Sequence, residues 1–313
     1  MDSPHIPVLL NEVKEIFADI DEGFIIDCTV GYGGHSEALL KQNSNIKLIC
    51  NDRDKEAIEF SRLRLKPFSD RVIFENLRFS QIIKKYEDYP IRGVLADIGV
   101  SSLQFDKKER GFNFESDILD MRMDKNSSLS AYEVINYYSE EELADIFYRY
   151  GEMRNARAVA KKIVRKRSLS PIKSAKELSE LFKTSKKSKI HPATLIFQAV
   201  RIEVNDELGE LETLLRSVEN SKIDKAKIAV ISFHSLEDRI VKSFFKKWTK
   251  NCICPPEVMR CECGGNHALG KILTKKPLTP SKEEIMKNPR SRSAKMRVFY
   301  MDRKIFEKNY YVV

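Results

Sequence analysis

Four short apolar runs, at 24–30, 46–50, 71–74 and 93–97, recur through the first hundred residues, with helical stretches at 35–42 and 55–65 between them. Alternation at this spacing demands parallel strands joined by crossover helices, and so a sheet covered on both faces. The rhythm then stops. From 129 to 215 no run reads as a strand, and the apolar periods are helical, over 140–150, 154–167, 174–182 and 192–215. Strand character returns at 227–232 and again at 297–301. Too few strands follow residue 215 for a second sheet, which disfavours two sequential domains. The expectation is an α/β, Rossmann-like sheet interrupted by an all-helical insertion. The sheet domain would occupy 1–108 and 215–313, and the insertion 109–214.

The first strand runs directly into Asp27-Cys28-Thr29-Val30-Gly31-Tyr32-Gly33-Gly34-His35. Glycines let backbone amides approach a ligand, and the next helix offers its positive end. Such a turn is shared with plain tight connections, and two details sharpen it. Asp52, at the end of the second strand, lies where a ribose-diol acceptor belongs. The dinucleotide fingerprint, however, wants a third glycine at 36, and Ser36 stands there. A nucleoside ligand without a pyrophosphate fits better, S-adenosylmethionine being the common example. Asp97 ends the fourth strand, where cofactor and acceptor should meet, although an aspartate there also suits a turn or a helix cap. Phe79 can flank an adenine or simply fill the core.

Composition narrows the partner. Apolar residues make up 42% and charged residues 32%, enough for a sizeable core. Lysine and arginine outnumber the acids 55 to 46, giving a net charge of +9, which favours a polyanionic partner. Arg154, Arg157, Lys161 and Arg165 share one face of a helical period, with Lys162, Lys166 and Arg167 extending the charge; Lys183, Lys186, Lys187 and Lys189 form a second cluster before His191. A solvated face is the usual reading of such patterns. Two clusters in one insertion, with the net charge, point to phosphate contacts. No apolar run approaches a membrane span, and the start of the chain lacks the form of a secretory signal. Four of six cysteines crowd into Cys252-Ile253-Cys254 and Cys261-Glu262-Cys263, unlike a secreted disulfide framework. A cytoplasmic chain is expected, free of membranes, with self-association left open. Four thiolates suit zinc, yet C-x-C is tighter than the usual ligand spacing and the neighbouring prolines and glycines equally suit a loop, so metal and no metal both stand.

The chain resembles the bacterial 16S ribosomal RNA cytosine-N4 methyltransferases. The resemblance rests on His5-Ile6-Pro7-Val8-Leu9-Leu10, the glycine turn through Ser36, Asp52-Arg53-Asp54 and Asp97-Ile98-Gly99-Val100-Ser101-Ser102. It continues through Glu109-Arg110-Gly111-Phe112, Leu119-Asp120-Met121-Arg122-Met123-Asp124, His191-Pro192-Ala193-Thr194 and Phe197-Gln198-Ala199-Val200-Arg201-Ile202, with Val204-Asn205 after them. Ile231-Ser232-Phe233-His234-Ser235-Leu236-Glu237-Asp238-Arg239 and Asn288-Pro289-Arg290-Ser291-Arg292-Ser293 complete it. Nearly the whole chain is covered. The resemblance implies a class I methyltransferase sheet with an RNA-recognition insertion, and S-adenosylmethionine as cofactor. It implies cofactor contacts at Gly33, Gly34, His35, Asp52, Phe79, Asp97 and Gln104. The acceptor it implies is a cytidine in the decoding region of the small ribosomal subunit, the 30S particle and its 16S rRNA.

On this reading Asp97, or the backbone beside it, accepts a hydrogen bond from the cytosine amine and orients it. Ser101, Ser102, His234 and Arg239 border the acceptor pocket, His234 toward the base and Arg239 toward a phosphate. Taken alone, the 233–239 segment reads as a strand end and a helix cap. The loop 106–124 reads as a lid over the cofactor, as a presenter of RNA, or as a plain domain connection. A DNA or small-molecule methyltransferase and a non-catalytic RNA-binding protein are the competing classes. Cofactor binding separates the last of these from the rest.

Overall fold

A computed structural model of the chain describes residues 6–100, 104–105, 107–182, 193–255 and 257–303. It divides into two compact units, Met1–Gly99 with Glu210–Val313, and Val100–Gly209. These junctions differ from those expected at 108/109 and 214/215, and packing explains both. Val100 and Phe105 lie against the apolar cluster of the second unit. Leu211, Leu214 and Leu215 are buried in the core of the first.

The first unit is a seven-stranded sheet. Its strands are β1 (Gly23–Asp27), β2 (Ile46–Asn51), β3 (Val72–Glu75), β4 (Ile91–Asp97), β5 (Ala226–Ser232), β6 (Gly270–Ile272) and β7 (Lys295–Met301). Their order is β3-β2-β1-β4-β5-β7-β6. The first five strands pair in parallel, and β7 runs antiparallel to both its neighbours. Successive side chains of a strand point to opposite faces. Ile26, Ile49, Val94, Ala96, Ile228 and Val230 accordingly enter one buried cluster, and Ile25, Leu48, Cys50, Leu95, Ala229 and Ile231 another. The first cluster is covered by α4 (Phe79–Tyr86) and α11 (Ser235–Trp248), through Ile82, Ile83, Val241, Phe245 and Trp248. The second is covered by α1 (Leu10–Ile16), α2 (Gly34–Gln42) and α3 (Lys55–Arg64), through Val13, Leu39, Leu40 and Ile58. A sheet buried on both faces explains why its strands read as continuous apolar runs rather than alternating ones.

The second unit is helical. It comprises α5 (Ala131–Tyr137), α6 (Glu140–Arg149), α7 (Ala156–Arg167), α8 (Ala175–Glu180) and α9 (Thr194–Asn205), packed around Leu143, Phe147, Ile163, Ile196 and Val200. Ser130 and Ser139 open α5 and α6 with reciprocal capping boxes, which satisfy amides that a helix start leaves orphaned. The single helical period expected over 192–215 is two helices. Asp206 turns left-handed at φ 48°, ending α9, and α10 (Glu207–Asn220) follows.

The loop expected to be a lid or a connection has an internal architecture of its own. Arg110 is 2% exposed and donates to the carbonyls of Arg122 (3.1 Å) and Met123 (3.0 Å). Gly111 is left-handed at φ 76°, and a Cβ there would stand 2.5 Å from the Asp120 amide nitrogen. Buried Asn205 donates to Met121 O and Arg201 O and accepts from Met123 N. The Arg-Gly, Met-Arg-Met and Val-Asn motifs thus knit one another together. Arg167 is similarly spent on the Ile135 and Tyr138 carbonyls, and Lys166 on Glu177 at 3.0 Å, so neither extends the basic face. No helix among the described residues is long and apolar enough to cross a membrane.

Candidate active site

In an open parallel sheet, ligands bind beyond the carboxyl ends of strands where the order reverses, here between β1 and β4. Three aspartates stand at those ends. Asp27, closing β1, is 1% exposed; it accepts Ser36 Oγ at 2.6 Å and Thr29 N at 3.2 Å. Burial pushes its carboxyl up to about 6, against the pull of those two bonds. Ser36 therefore stands where a dinucleotide fold has glycine because its hydroxyl satisfies a buried acid. The turn that follows bends at Gly31 (φ 50°) and Gly33 (φ 73°), and Gly33 caps α2.

Asp52 follows β2. Its Oδ2 accepts Gly31 N at 3.0 Å and its Oδ1 accepts Asp54 N at 2.9 Å. Burial raises it to about 6, partly offset by those two amides. Each carboxylate oxygen can accept two hydrogen bonds, so one lone pair on each is left for a diol. Asn51 braces the same corner, donating to Cys28 O and Leu77 O and accepting from Leu77 N.

Asp97 closes β4, and its amide donates to Thr29 Oγ1 at 2.8 Å. Its Oδ1 is buried with no hydrogen-bond partner among the described residues. Burial, then the charges of Asp27 and Glu237, push it up to about 8. Its Oδ2 lies 3.9 Å from His35 Nδ1. His35 Nε2 bonds Val8 O at 2.8 Å. A carbonyl only accepts, so Nε2 carries the proton and Nδ1 is left toward Asp97.

A segment that no site motif marks covers the turn. Pro7 packs so tightly on Gly34 that a Cβ there would stand 2.3 Å from its Cγ. Leu9 N donates to Glu284 Oε1 at 2.8 Å, and Asn288 Nδ2 to Ile6 O at 3.1 Å. The missing side chain of Gly34 thus makes room for Pro7. Two motifs far apart in sequence, around 5–10 and 288–293, meet at this point. Thr29 and Glu237 sit inside quoted motifs without an expected role, and Asn51 lies outside them; no spacing rule gives any of the three its contact.

The other expected site residues fall variously. Phe79 opens α4 and is 8% exposed within the apolar cluster. Gln104 is 3% exposed and belongs to the helical unit. Ser101 and Ser102 lie outside the described residues, as do Lys183, Lys186, Lys187, Lys189 and His191. His234 caps α11: its Nδ1 accepts Glu237 N at 3.5 Å, while buried Glu237 Oε2 accepts the amides of Phe233 (2.8 Å) and His234 (3.2 Å). The helix-cap reading of this segment is what the local geometry displays. Arg239 is exposed one turn further on.

The donor set suits a methyl-donating nucleoside: a diol acceptor with spare lone pairs, a left-handed glycine turn, and a buried carboxylate oxygen awaiting a partner. With the antiparallel β7 slotted between β5 and β6, the sheet and its switch-point site are those of a class I methyltransferase. Comparison with known proteins narrows this. The model of the MraW methylase family matches residues 2–302, and the chain belongs to that family. A protein of Aliarcobacter butzleri named Ribosomal RNA small subunit methyltransferase H is 62% identical over 303 residues, 96% of this chain and 100% of that one. Proteins of the same name from Campylobacter fetus and Campylobacter jejuni are each 56% identical, over 97% and 96% of this chain and 100% and 98% of theirs.

Proposed function

We propose that the chain methylates the exocyclic N4 of a cytidine in the decoding region of small-subunit ribosomal RNA, with S-adenosylmethionine as donor. One observation carries this: near end-to-end identity of 62% to a relative named for methylation of that RNA. The work would fall in the cytoplasm, on 16S rRNA either naked or within the 30S particle.

The cofactor, when bound, supplies an electrophilic methyl on a sulfonium. Asp52 holds the ribose hydroxyls on its two remaining lone pairs, and the 31–35 turn lines the nucleoside, with Phe79 and Gln104 as further contacts. Asp97 orients the acceptor. The N4 lone pair of cytosine is delocalised into the ring, so the amine is a poor nucleophile. A carboxylate accepting one N–H turns that lone pair toward the methyl, and such positioning is worth up to roughly 7–11 kcal/mol. Without cofactor the Asp97 carboxyl is pushed up to about 8 and is mostly protonated near neutral pH; the positive charge of a bound sulfonium favours the carboxylate, which accepts the N–H and then the proton shed after attack. His35, held on Val8 O, fixes the wall beside Asp97. His234 and Arg239 border the acceptor, His234 from its place at the α11 cap.

The helical unit reads the RNA backbone. Arg154, Arg157, Lys161 and Arg165 are exposed along α7 and its approach, and no ion pair among the described residues engages them. The target base must be unpaired or flipped for its N4 to be reached. Incubating the protein with 30S subunits lacking the modification and labelled cofactor, then mapping nucleosides by mass, tests the reading. One methyl on cytidine N4 is expected. Methyl on another base, on the 2′-oxygen or on protein alone overturns it.

A further inference from the structure

The connection from α11 to β6 is an excursion of some twenty residues whose described residues form no helix or strand, a length that needs its own source of order. Backbone bonds close its stem: Leu269 N to Trp248 O at 2.7 Å and His267 N to Asn251 O at 3.1 Å. Beyond the stem nothing apolar holds it. No described residue from Lys250 to His267 is buried, and Ile253 and Met259 are 61% and 100% exposed. Gly264 and Gly265 turn left-handed at φ 78° and 71° with open space around them.

At the tip the two C-x-C pairs converge. The sulfurs of Cys252, Cys254, Cys261 and Cys263 all lie within 4.8 Å of one another. Cys263 Sγ stands 3.5 Å from Cys261 Sγ and 3.7 Å from Cys252 Sγ. A disulfide requires about 2.05 Å, so these are separate thiols. A zinc–thiolate bond of about 2.3 Å sets the edge of a regular sulfur tetrahedron at about 3.8 Å, close to the 3.5 and 3.7 Å from Cys263 to Cys261 and Cys252. The C-x-C spacing, tight for a ligand pair, works here because the loop brings the two pairs together, all four sulfurs within 4.8 Å of one another.

The backbone is arranged for thiolates. Cys254 Sγ accepts the amides of Glu262 and Cys263, both at 3.3 Å, and Cys263 Sγ accepts that of Ile253 at 3.4 Å. His267 is no ligand; its Nε2 bonds Cys263 O at 2.9 Å and steadies that ligand from behind.

We propose that Cys252, Cys254, Cys261 and Cys263 form a closed tetrathiolate zinc site that folds the α11–β6 connection and takes no part in methyl transfer. Four protein ligands leave no open position for substrate, the mark of a structural rather than a catalytic site. The site supplies the order that the missing apolar contacts do not. It stands independently of the substrate assignment above.

The test is metal analysis of the full chain, purified without added zinc and without chelators, beside the Cys261→Ser/Cys263→Ser double variant. One zinc per wild-type chain and none in the variant is the expected result, with cofactor affinity unchanged within twofold. Should the variant not fold, the wild type still decides. Titration with an organomercurial must then release zinc in step with reaction of four thiols, while buried Cys28 and Cys50 stay silent. Four thiols reacting at once as free groups, two disulfides, iron in place of zinc, or failure to take up added zinc each overturns the proposal.

Discussion

Replacing Asp97 by asparagine should make the protein both more stable and less active, and the size of the first effect follows from the site. Between its ordinary value of 3.8 and about 8 in the fold, Asp97 is protonated when folded and ionised when unfolded. The stability this proton contributes is fully present below about pH 4, shrinks as pH rises, and is gone above about 8. The slope is about 1.4 kcal/mol per pH unit, so wild type loses on the order of 3 kcal/mol from this group between pH 5 and 7. Asparagine keeps the shape and carries no titrating proton. The stability of Asp97→Asn relative to wild type should therefore climb by that amount between pH 5 and 7 and level off above about 8. Trp248, the sole tryptophan, is 1% exposed in the sheet core, so its fluorescence reports the urea transition of that unit. Measured without cofactor, a stability difference that stays constant from pH 5 to 8 refutes the reasoning, for the carboxyl would then be ionised and solvated in the fold. Methyl transfer should fall by roughly 10²–10³ in the same variant, the usual loss when one preorganised polar group at a reacting centre is removed.

Asp52→Ala removes the proposed diol acceptor; hydrogen bonds to a charged group are worth about 1.5–3 kcal/mol, so calorimetry should find the cofactor bound roughly 10- to 100-fold more weakly. Gly34→Ala drives a methyl into Pro7 and should cost about 1–3 kcal/mol in the Trp248 transition. Removing Arg154, Arg157, Lys161 and Arg165 together should weaken RNA binding and flatten its salt dependence, the logarithmic slope dropping by about 0.7–0.9 for every phosphate no longer neutralised. An unchanged slope would return that face to plain solvation.

Much of the sheet is legible in the sequence because burial on both faces writes strands as apolar runs. The runs at 46–50 and 227–232 fall within one residue of β2 and β5. The first run extends to residue 30, while β1 ends at Asp27: Cys28 and Val30 are buried like strand residues but belong to the turn. β6 leaves no signal because three residues, Gly270–Ile272, cannot carry a period. In the helical region the period runs unbroken through Asp206, since left-handed backbone at a polar residue leaves no mark on the spacing of apolar ones. At the site, Asp52 and Asp97 are readable from their places at strand ends. Pro7, Thr29 and Glu284 are not, because their roles rest on contacts between segments that no local pattern connects. His234 shows the converse: a motif that suggests chemistry and that the helix also needs as a cap.

The neighbours β4 and β5 sit side by side in the sheet, yet residues 98–225 separate them in the chain. Translation at roughly 5–20 residues per second leaves β4 an open edge for on the order of ten seconds before its partner emerges. Meanwhile the five helices α5 to α9 have been synthesised and have their own core to bury. The helical unit is thus built before the sheet is closed. The clasp of Glu284 and Asn288 onto the segment over the glycine turn comes later still, after both β4 and β5 have emerged.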